Sequence, residues 1–558
     1  MSHFERLSAL DASFLGVEDG NAHMHVAATL VFDAGPLRRP DGGLDFERIE
    51  ETIGRSLARV PRYRQRIAFG PLLREPVWVD DERFNLHYHV RHTALPKPGD
   101  DRQLKRLSGR IFSQELDRGK PLWELWVVEG LAGDRFAIVN KAHHCMVDGM
   151  SGVDLLAATL ATPSDDAADA SPREAAQRRA LELWRPRTKP GDVGLALAEL
   201  GHRVAAPFAL ARAVGSALGD PRRALGAFWN GAVGVTEIFA AGLTPASETK
   251  LNHPIGPHRR FDWMETPLAD LKEIRSALGG TVNDVVLAIV AGAVGRFLAA
   301  HGDDLDALTF RAMVPVSVRT DDQRGTLGNK VASLVAELPI AERDPRERLR
   351  RVRETTTRLK HGHAVQGSEI LEEIADWTSS ALLVNLVQLA TRARSYNVVV
   401  TNVPGPPFPI HLLGAPLRAV YPMVPLFSNQ ALGIALFSYA GTLFWGLNAD
   451  WDAVPDLHDF ALDLGRELEA LRRAASAIGA RVSSADTTTA EGEGWRAERA
   501  RDPGREGRSG RTARERRARE AGSGPPPESR RSGGSPAPAG ARKPRSRPRK
   551  APAPPPEA

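Results

Sequence analysis

A stretch of 31 residues without a charged side chain, 419–449, most strongly limits how this chain can fold. A run of that length is long enough to cross a bilayer as a helix. Pro422 and Pro425 interrupt it, and polar residues follow, so each uninterrupted piece is too short for a spanning helix. The stretch therefore predicts two buried strands joined as a hairpin, at about Leu432–Tyr439 and Thr442–Asn448.

The second long apolar run, Val285–Gly295, ends at Arg296 after eleven residues, which favours a helix in a protein core. We therefore expect no membrane-spanning helix. The first residues include acidic side chains and no apolar run, so we expect no signal peptide. A single cysteine excludes an intramolecular disulfide and is typical of a reducing compartment. These features together predict a cytoplasmic protein.

The net charge of +5 is unevenly distributed along the chain. Residues 501–558 contain 16 Lys and Arg against 6 Asp and Glu, so the residues before them carry a net −5. The same tail lacks Val, Ile, Leu, Met and aromatic residues, and such a composition is typical of disorder. The basic character is therefore no sign of a specific nucleic-acid-binding domain, although the tail could contact an anionic surface.

A length of 558 residues predicts more than one hydrophobic core. Strand-like and helix-like patterns alternate on both sides of a polar, Pro-containing connection, which indicates an α/β fold. Apolar residues at helical spacing within 193–243 indicate inter-domain helices or, alternatively, a segment that contacts lipid. We predict a first lobe at 1–162, a linker with amphipathic helices at 163–245, a second lobe at 246–481 and a disordered tail at 482–558.

The motif "KAHHCMVDGMSG" at 141–152 carries the most chemically specific pattern of the chain. A metal site is one interpretation, but neighbouring residues of a strand point to opposite faces, so His143 and His144 would not converge. A nucleophilic Cys145 would need an activated thiolate. A strand end with incidental polar residues is a third interpretation. The fourth is a histidine general base, held by a turn in which Asp148 and Gly149 shape the backbone.

These residues resemble the HHxxxDG motif of the CoA-dependent acyltransferase superfamily. Further motifs in the same order resemble the bacterial wax ester synthase/diacylglycerol acyltransferase family over roughly residues 4–475. His253 departs from that pattern, where a smaller residue is expected. The motifs are "LSALDASFL" at 7–15, "MHV" at 24–26, "PLWE" at 121–124, "LNHPIGPHRRF" at 251–261, "TVNDVVLA" at 281–288, "VPVSVR" at 314–319, "LGN" at 327–329 and "NVPGP" at 402–406.

The resemblance implies two chloramphenicol-acetyltransferase-like lobes joined by a helical linker. It also implies transfer of a long-chain fatty acyl group from acyl-CoA to diacylglycerol or to a fatty alcohol. His144 would be the general base, with His143 in support and Gly149 in the turn. Asp148 would hold the turn through a salt bridge, and Arg319 is the candidate partner. Acyl-CoA is then a substrate, and neither a cofactor nor a metal is expected.

Four residues of the family motifs are candidates for the substrate site: Asn283, Asp284, Arg319 and Trp123. Helix capping is the alternative for Asn283, surface exposure for Arg319, and packing for Trp123. The water-insoluble acceptor implies contact with a membrane or lipid-droplet surface, and the sequence carries no signal of oligomeric state. Two other interpretations stay open: a different alcohol or amine acceptor, and a non-catalytic lipid-surface or nucleic-acid-binding protein acting through its basic tail.

Overall fold

The computed structural model describes residues 4–57, 60–72, 74–146, 185–201, 245–317, 331–361 and 394–477. Most of the predicted linker and the whole predicted tail lie outside these ranges. Three candidate site residues, Asp148, Gly149 and Arg319, also lie outside them.

A six-stranded sheet forms the first lobe, and its strands are β2 (His25–Asp33), β5 (Val90–Ala94), β6 (Trp123–Leu131), β7 (Arg135–His143), β12 (His411–Leu412) and β13 (Ala415–Met423). Their order across the sheet is β12-β13-β2-β7-β6-β5. β7 is a central strand whose apolar residues are buried on both faces. β2 and β7 are antiparallel along their whole length, with His25 opposite His143. The run that leads into the histidine motif therefore forms a strand, β7.

The remaining elements of this lobe are short strands and helices. An edge hairpin and a two-residue strand make a separate three-stranded sheet in the order β1-β4-β3. The run "FERIEETIGRS" forms a helix, and the Asp45 side chain caps it by accepting the Arg48 N–H. The elements are β1 (Glu5–Arg6), β3 (Gln65–Phe69), β4 (Pro76–Asp80), α1 (Ala9–Gly16), α2 (Phe46–Ser56), α3 (Leu86–His89), α4 (Asp101–Ser113) and α5 (192–201).

The second lobe has its own six-stranded sheet, with strands β8 (Arg259–Pro267), β9 (Arg311–Ser317), β10 (Val331–Glu337), β11 (Val398–Pro404), β14 (Leu432–Tyr439) and β15 (Thr442–Asp450). The order is β10-β9-β11-β14-β15-β8. β14 and β15 form the hairpin predicted from the uncharged stretch. Ala440 and Gly441 join them, both with positive φ, which matches the twist of a tight hairpin. Its helices are α6 (Leu268–Leu278), α7 (Val282–Ala300), α8 (Pro345–His361) and α9 (457–477).

Helix α7 is the centre of the second hydrophobic core. Thr281 caps it, and nearly all residues from Asp284 to Leu298 are buried. Among the described residues it is the one helix long and apolar enough to cross a membrane, but 78% of its most apolar window is buried inside the protein. The core helix predicted from Val285–Gly295 is confirmed.

Two strands of the second half of the chain, β12 and β13, belong to the first sheet. β13 pairs antiparallel with β2, with Met423 opposite Ala27 and Leu417 opposite Phe32, and then the chain continues into β14 of the second sheet. The ranges predicted from the sequence place residues 246–481 in the second lobe. These domain limits stay a prediction. The periodicity of a strand indicates which faces are buried but not which strand lies beside it.

The two sheets come closest where β13 crosses β15. A Cβ atom added at Gly446 would lie 1.7 Å from the Pro422 carbonyl oxygen. Phe261 and Trp263 of β8 also join the core of the first lobe, and the Trp263 ring stacks on Tyr421 of β13 at 4.2 Å. The contact between the sheets is therefore a packed core and depends on the missing side chain at Gly446.

We expect Gly446→Ala to lower the free energy of unfolding by about 3 kcal/mol, because the added methyl group forces two packed strands apart. The matched control is Gly465→Ala in α9, where the added Cβ meets no atom within 4 Å. That change should raise the stability by about 0.5–1 kcal/mol, the usual gain of alanine over glycine in a helix. Urea unfolding followed by tryptophan fluorescence measures both. Equal midpoints for the two variants would contradict the tight crossing.

Candidate active site

The histidine pair lies where β7 ends and a short 3₁₀ turn, His144–Met146, begins. The His143 N–H donates to the Leu122 carbonyl at 2.9 Å, and the His144 N–H donates to the Met24 carbonyl at 2.7 Å. The two acceptors belong to different segments of the chain, so the backbone of the histidine pair is held by both of them. The change from strand to turn at this point directs consecutive side chains to different surroundings.

The His143 ring is buried and bridges two parts of the site. Its Nε2 lies 3.1 Å from a Glu18 carboxylate oxygen. Its Nδ1 accepts the Cys145 backbone N–H at 3.1 Å. Because a backbone N–H can only donate, Nδ1 carries the lone pair and the ring proton faces Glu18. His143 therefore supports the turn through Nδ1, and its Nε2 lies beside the Glu18 carboxylate.

The His144 ring has a different environment. It is partly exposed, and the Phe14 ring packs against it with the centroids 4.1 Å apart. Burial, and to a smaller extent the neighbouring His143, lowers the pKa of His144 to about 4, although a contact with its own main chain raises it. Among the described residues, Nδ1 of His144 has no hydrogen-bond partner on another residue. His144 is thus a neutral imidazole at physiological pH, which can accept a proton.

Cys145 is the residue that follows and it is fully enclosed. Its side chain is 1% exposed, and the Sγ lies 2.9 Å from Nδ1 of His143. Burial, together with the charges of Asp11 and Glu18, raises the pKa of the Cys145 thiol well above its usual range. A buried thiol with a raised pKa is a poor nucleophile. The geometry therefore disfavours the interpretation of Cys145 as a covalent catalyst.

Glu18 is a site residue that the sequence analysis missed. It lies in the loop between α1 and β2, and its side chain is 5% exposed. Burial alone raises the pKa of this carboxyl, but hydrogen bonds from His143 and from the Met24 N–H lower it to about 2. Arg118 forms an ion pair with its second oxygen. The motifs "LSALDASFL" and "MHV" flank Glu18 in the sequence and were the available signal.

The loop that carries Glu18 also contacts the second lobe. The Ser428 hydroxyl donates to Asp19 at 2.6 Å, and the Asn21 side chain donates to the Ile255 carbonyl at 3.1 Å. Ala22 is completely buried in the second core. The histidine turn is therefore connected through this loop to both halves of the fold.

A polar pocket of about 290 Å³ opens next to Glu18. Its lining has more acidic than basic groups, so it does not suit a polyanion such as a chain of phosphates. The lining residues are Glu18, Asp19, Gly20, His23, Glu115 and Arg118.

Lys141, at the start of the motif, has a structural role. It is completely buried, and its ammonium donates to the Ile111 and Gln114 carbonyls at the end of α4, at 3.0 and 2.9 Å. Burial lowers the pKa of Lys141 to about 8. The same ammonium adds to the effect of burial in lowering the pKa of His25, the residue opposite His143.

Trp123 is a core residue in the structure. Its side chain is 1% exposed, its indole N–H donates to the Tyr63 carbonyl at 2.8 Å, and its ring stacks on His89 at 4.6 Å. These contacts show that Trp123 packs in the core. Packing was the alternative considered for this residue in place of contact with the substrate. β6 nevertheless contributes to the site, because Trp123 lies opposite Ala142, next to the histidine pair.

Two roles were considered for the motif that contains Asn283 and Asp284, helix capping and contact with the substrate, and the two residues differ in their contacts. Asp284 is buried and forms a capping box with Thr281, accepting the Thr281 N–H at 2.7 Å, and it also accepts the Thr356 hydroxyl at 2.7 Å. Asp284 therefore completes the cap of α7, and both of its carboxylate oxygens accept hydrogen bonds from within the lobe. Asn283 instead accepts a 2.7 Å hydrogen bond from the Asn402 side chain, which joins the motifs "TVNDVVLA" and "NVPGP". Asn283 stays a candidate for the substrate site.

The remaining departure from the expected pattern, His253, is exposed on the surface. Its ring approaches only its neighbour's main chain, the Pro254 carbonyl, at 3.4 Å. A larger side chain is accommodated at this position because it points to solvent.

The chain matches two domains of one known protein family. The wax ester synthase/diacylglycerol acyltransferase catalytic domain matches residues 7–286, and the C-terminal domain of the same family matches residues 327–472. The chain belongs to the wax ester synthase/diacylglycerol acyltransferase family. The resemblance inferred from the sequence is confirmed, and this wax ester synthase/diacylglycerol acyltransferase family member is an acyltransferase of neutral-lipid synthesis.

Relatives of this wax ester synthase/diacylglycerol acyltransferase chain are similar over most of their length. A probable diacylglycerol O-acyltransferase of Mycobacterium tuberculosis is 33% identical over 459 residues, which cover 82% of this chain and 93% of the relative. The O-acyltransferase WSD of Acinetobacter baylyi is 30% identical over 465 residues, which cover 83% of this chain and 96% of that protein.

A solved structure confirms the fold class. The wax ester synthase/diacylglycerol acyltransferase of Marinobacter aquaeolei VT8 superposes with a TM-score of 0.55 and 26% identity, covering 84% of this chain and all of that one. The expected α/β architecture with two sheet-containing lobes is therefore observed.

Proposed function

We propose that this chain transfers a long-chain fatty acyl group from acyl-CoA to diacylglycerol or to a long-chain alcohol, with His144 as the general base. The single observation that carries this proposal is the partly exposed His144 imidazole, whose pKa burial lowers to about 4; the ring packs against Phe14, and the backbone N–H of His144 is bonded to the Met24 carbonyl. A general base must be unprotonated before the substrate arrives, and the lowered pKa of this ring meets that condition.

The proposed reaction is a direct transfer. His144 takes the proton of the acceptor hydroxyl as the oxygen attacks the thioester carbonyl of acyl-CoA. The carbon–sulfur bond breaks, CoA departs as a thiolate, and the imidazolium returns the proton to the sulfur. The products are an ester and free CoA, and no cofactor is needed. An acyl-enzyme is unnecessary, which agrees with the enclosed Cys145 thiol.

The other motif residues would act by supporting this base. His143 carries the hydrogen bonds that hold the turn. Asp148 and Gly149 would shape the following backbone, and Arg319 stays the candidate partner of the Asp148 carboxylate. Asn283, joined to Asn402, would contact the substrate near the reacting carbonyl. A cytoplasmic location stays a prediction.

A labelled acyl-CoA offered with diacylglycerol and, separately, with hexadecanol tests the proposal. We expect a labelled triacylglycerol or wax ester from the wild-type protein. His144→Ala should lower kcat at least ~100-fold, because general-base catalysis contributes about 10²–10⁴-fold. The matched control is Cys145→Ala, in the same turn, which should retain most of the activity. Product is measured by thin-layer chromatography.

Two results would contradict this assignment. Turnover that survives His144→Ala but not Cys145→Ala would make the thiol the catalytic group. Acyl transfer to a small alcohol or amine, with neither lipid acceptor used, would favour the alternative acceptor class that the superfamily motif leaves open.

The pH dependence of kcat/KM follows from the lowered pKa of His144. The ring is neutral above its pKa of about 4 and becomes protonated, and therefore unable to accept a proton, only as the pH falls through that value. We expect kcat/KM at pH 5.5 to stay within about twofold of its value at pH 7.5. A histidine with the ordinary pKa of about 6.5 would lose roughly tenfold over this interval. CoA release measured by chromatography distinguishes the two.

An exposed apolar surface on the first lobe supports contact with lipid. Val193, Leu197 and Leu200 follow each other at helical spacing along one side of α5 and are 75%, 65% and 51% exposed. The opposite side of α5 is anchored, because Leu195 is buried on the small sheet and Glu199 accepts the Leu72 N–H.

The tip of the β3-β4 hairpin, which Glu199 joins to α5, also exposes apolar side chains. Leu72 and Phe69 there are 54% and 40% exposed, and the Arg74 guanidinium lies 5.5 Å from the Phe69 ring. Apolar side chains with a nearby cation are typical of surfaces that insert shallowly between anionic headgroups. A water-insoluble acceptor requires such a surface. We therefore assign membrane or lipid-droplet contact to this face of α5 and the hairpin tip.

We expect Leu197→Glu to weaken binding to vesicles containing anionic phospholipid by about tenfold or more, since one leucine withdrawn from lipid costs about 1.5–3 kcal/mol. Leu462→Glu is the control, because Leu462 is 47% exposed on α9, away from the hairpin. It should bind as the wild type does. Vesicle flotation measures both, and equal binding by the two variants would exclude this face as the lipid contact.

A further inference from the structure

The Glu18 carboxylate is placed to control the backbone on both sides of His144. It is a buried acid, 5% exposed, in a loop that no sequence motif assigns to the chemistry. Its Oε1 atom takes two contacts, the Met24 N–H at 2.6 Å and the His143 ring Nε2 at 3.1 Å. Its Oε2 atom faces Arg118. Each of the two Oε1 contacts continues to the backbone around His144.

The first connection passes through Met24. The Met24 N–H donates to Glu18, and the Met24 carbonyl accepts the His144 N–H at 2.7 Å. Met24 is itself completely buried, just before β2. A displacement of the Glu18 carboxylate therefore shifts the backbone of Met24, whose carbonyl accepts the His144 N–H.

The second connection passes through His143. Nε2 of the ring lies 3.1 Å from the Glu18 carboxylate, and Nδ1 accepts the Cys145 N–H at 3.1 Å. Glu18 thereby fixes the orientation of the ring and also which nitrogen carries the proton. The Cys145 N–H is the first backbone donor after His144. One carboxylate oxygen thus fixes the hydrogen bonds that precede and follow the proposed base.

We infer that Glu18 is a positioning residue for His144, acting through the Met24 backbone and the His143 ring. The inference rests on the proposed role of His144 as general base. Glu18 touches neither the His144 ring nor the reacting atoms, so it acts on the orientation of the base and not on the substrate. A displacement of about 1 Å at a catalytic group can cost on the order of 10²-fold in rate.

The arrangement also indicates which property of Glu18 matters. Both relevant donors meet the same oxygen, so a neutral amide with the same reach can accept both through its own oxygen. The lost charge affects mainly Arg118, whose side chain is 40% exposed and can be solvated. A shorter carboxylate keeps the charge but withdraws the oxygen by about 1.5 Å, one carbon–carbon bond. Reach and charge are therefore separable by substitution.

The test compares Glu18→Gln with Glu18→Asp in steady-state acyl transfer by the full-length protein. We expect Glu18→Gln to retain kcat within about threefold, and Glu18→Asp to lose about 10–100-fold in kcat while KM for acyl-CoA stays within about twofold. Glu115→Gln is the control, because Glu115 is exposed beside the same pocket and has no contact with His143. It should behave as the wild type does.

The reverse order of activity, with Glu18→Asp above Glu18→Gln, would overturn the inference and show that the charge is what matters. So would full activity in both variants. A ¹⁵N spectrum of the histidine rings adds a readout that loss of stability alone would not change: the ring proton of His143 should stay on Nε2 in Glu18→Gln. Lack of turnover by the wild-type protein would instead refute the proposed function, and the ring spectra would still test the connection.

Discussion

The antiparallel pairing of β7 with β2 is the interaction on which the rest of the site depends. It brings His25 opposite His143 and leaves the Met24 carbonyl at the point where the His144 N–H needs an acceptor. Because β7 is a central strand buried on both faces, its end cannot shift without disturbing the whole first sheet. The register of β7 against β2 thus sets the position of the proposed base. The conformation of the turn that follows depends on nearby residues.

The same loop that supplies Glu18 also joins the lobes. Asp19 and Asn21 bond to segments of the second half, and Ala22 is buried in the second core. β13 makes the complementary connection, since it leaves the second half to pair with β2 in the first sheet. The strand that carries the site loop is therefore held from the opposite end of the chain. The site loop and the strand that follows it are therefore held by contacts with both halves of the chain.

Much of this organisation was predictable from the sequence. The uncharged stretch led to the β14-β15 hairpin because Pro422 and Pro425 break it and its central residues suit a tight turn. The motif around His144 indicated an acyltransferase, and the family comparison confirmed it. The course of β13 was not predictable, because alternation of apolar residues identifies a strand but not its neighbour. Glu18 was missed for a similar reason: 125 residues separate it from His143 along the chain, and only folding brings them together.

The sequence by itself determined the chemical identity of the site and the types of its elements, because both depend on residues that are close together along the chain. It fixed the imidazole at position 144 and the strand that ends there. Tertiary structure alone decided that burial lowers the pKa of this imidazole, that the Cys145 thiol is enclosed and that Glu18 lies beside His143. These are consequences of burial and of partners from distant segments, and a pKa or a hydrogen bond across two strands exists only after the chain has packed.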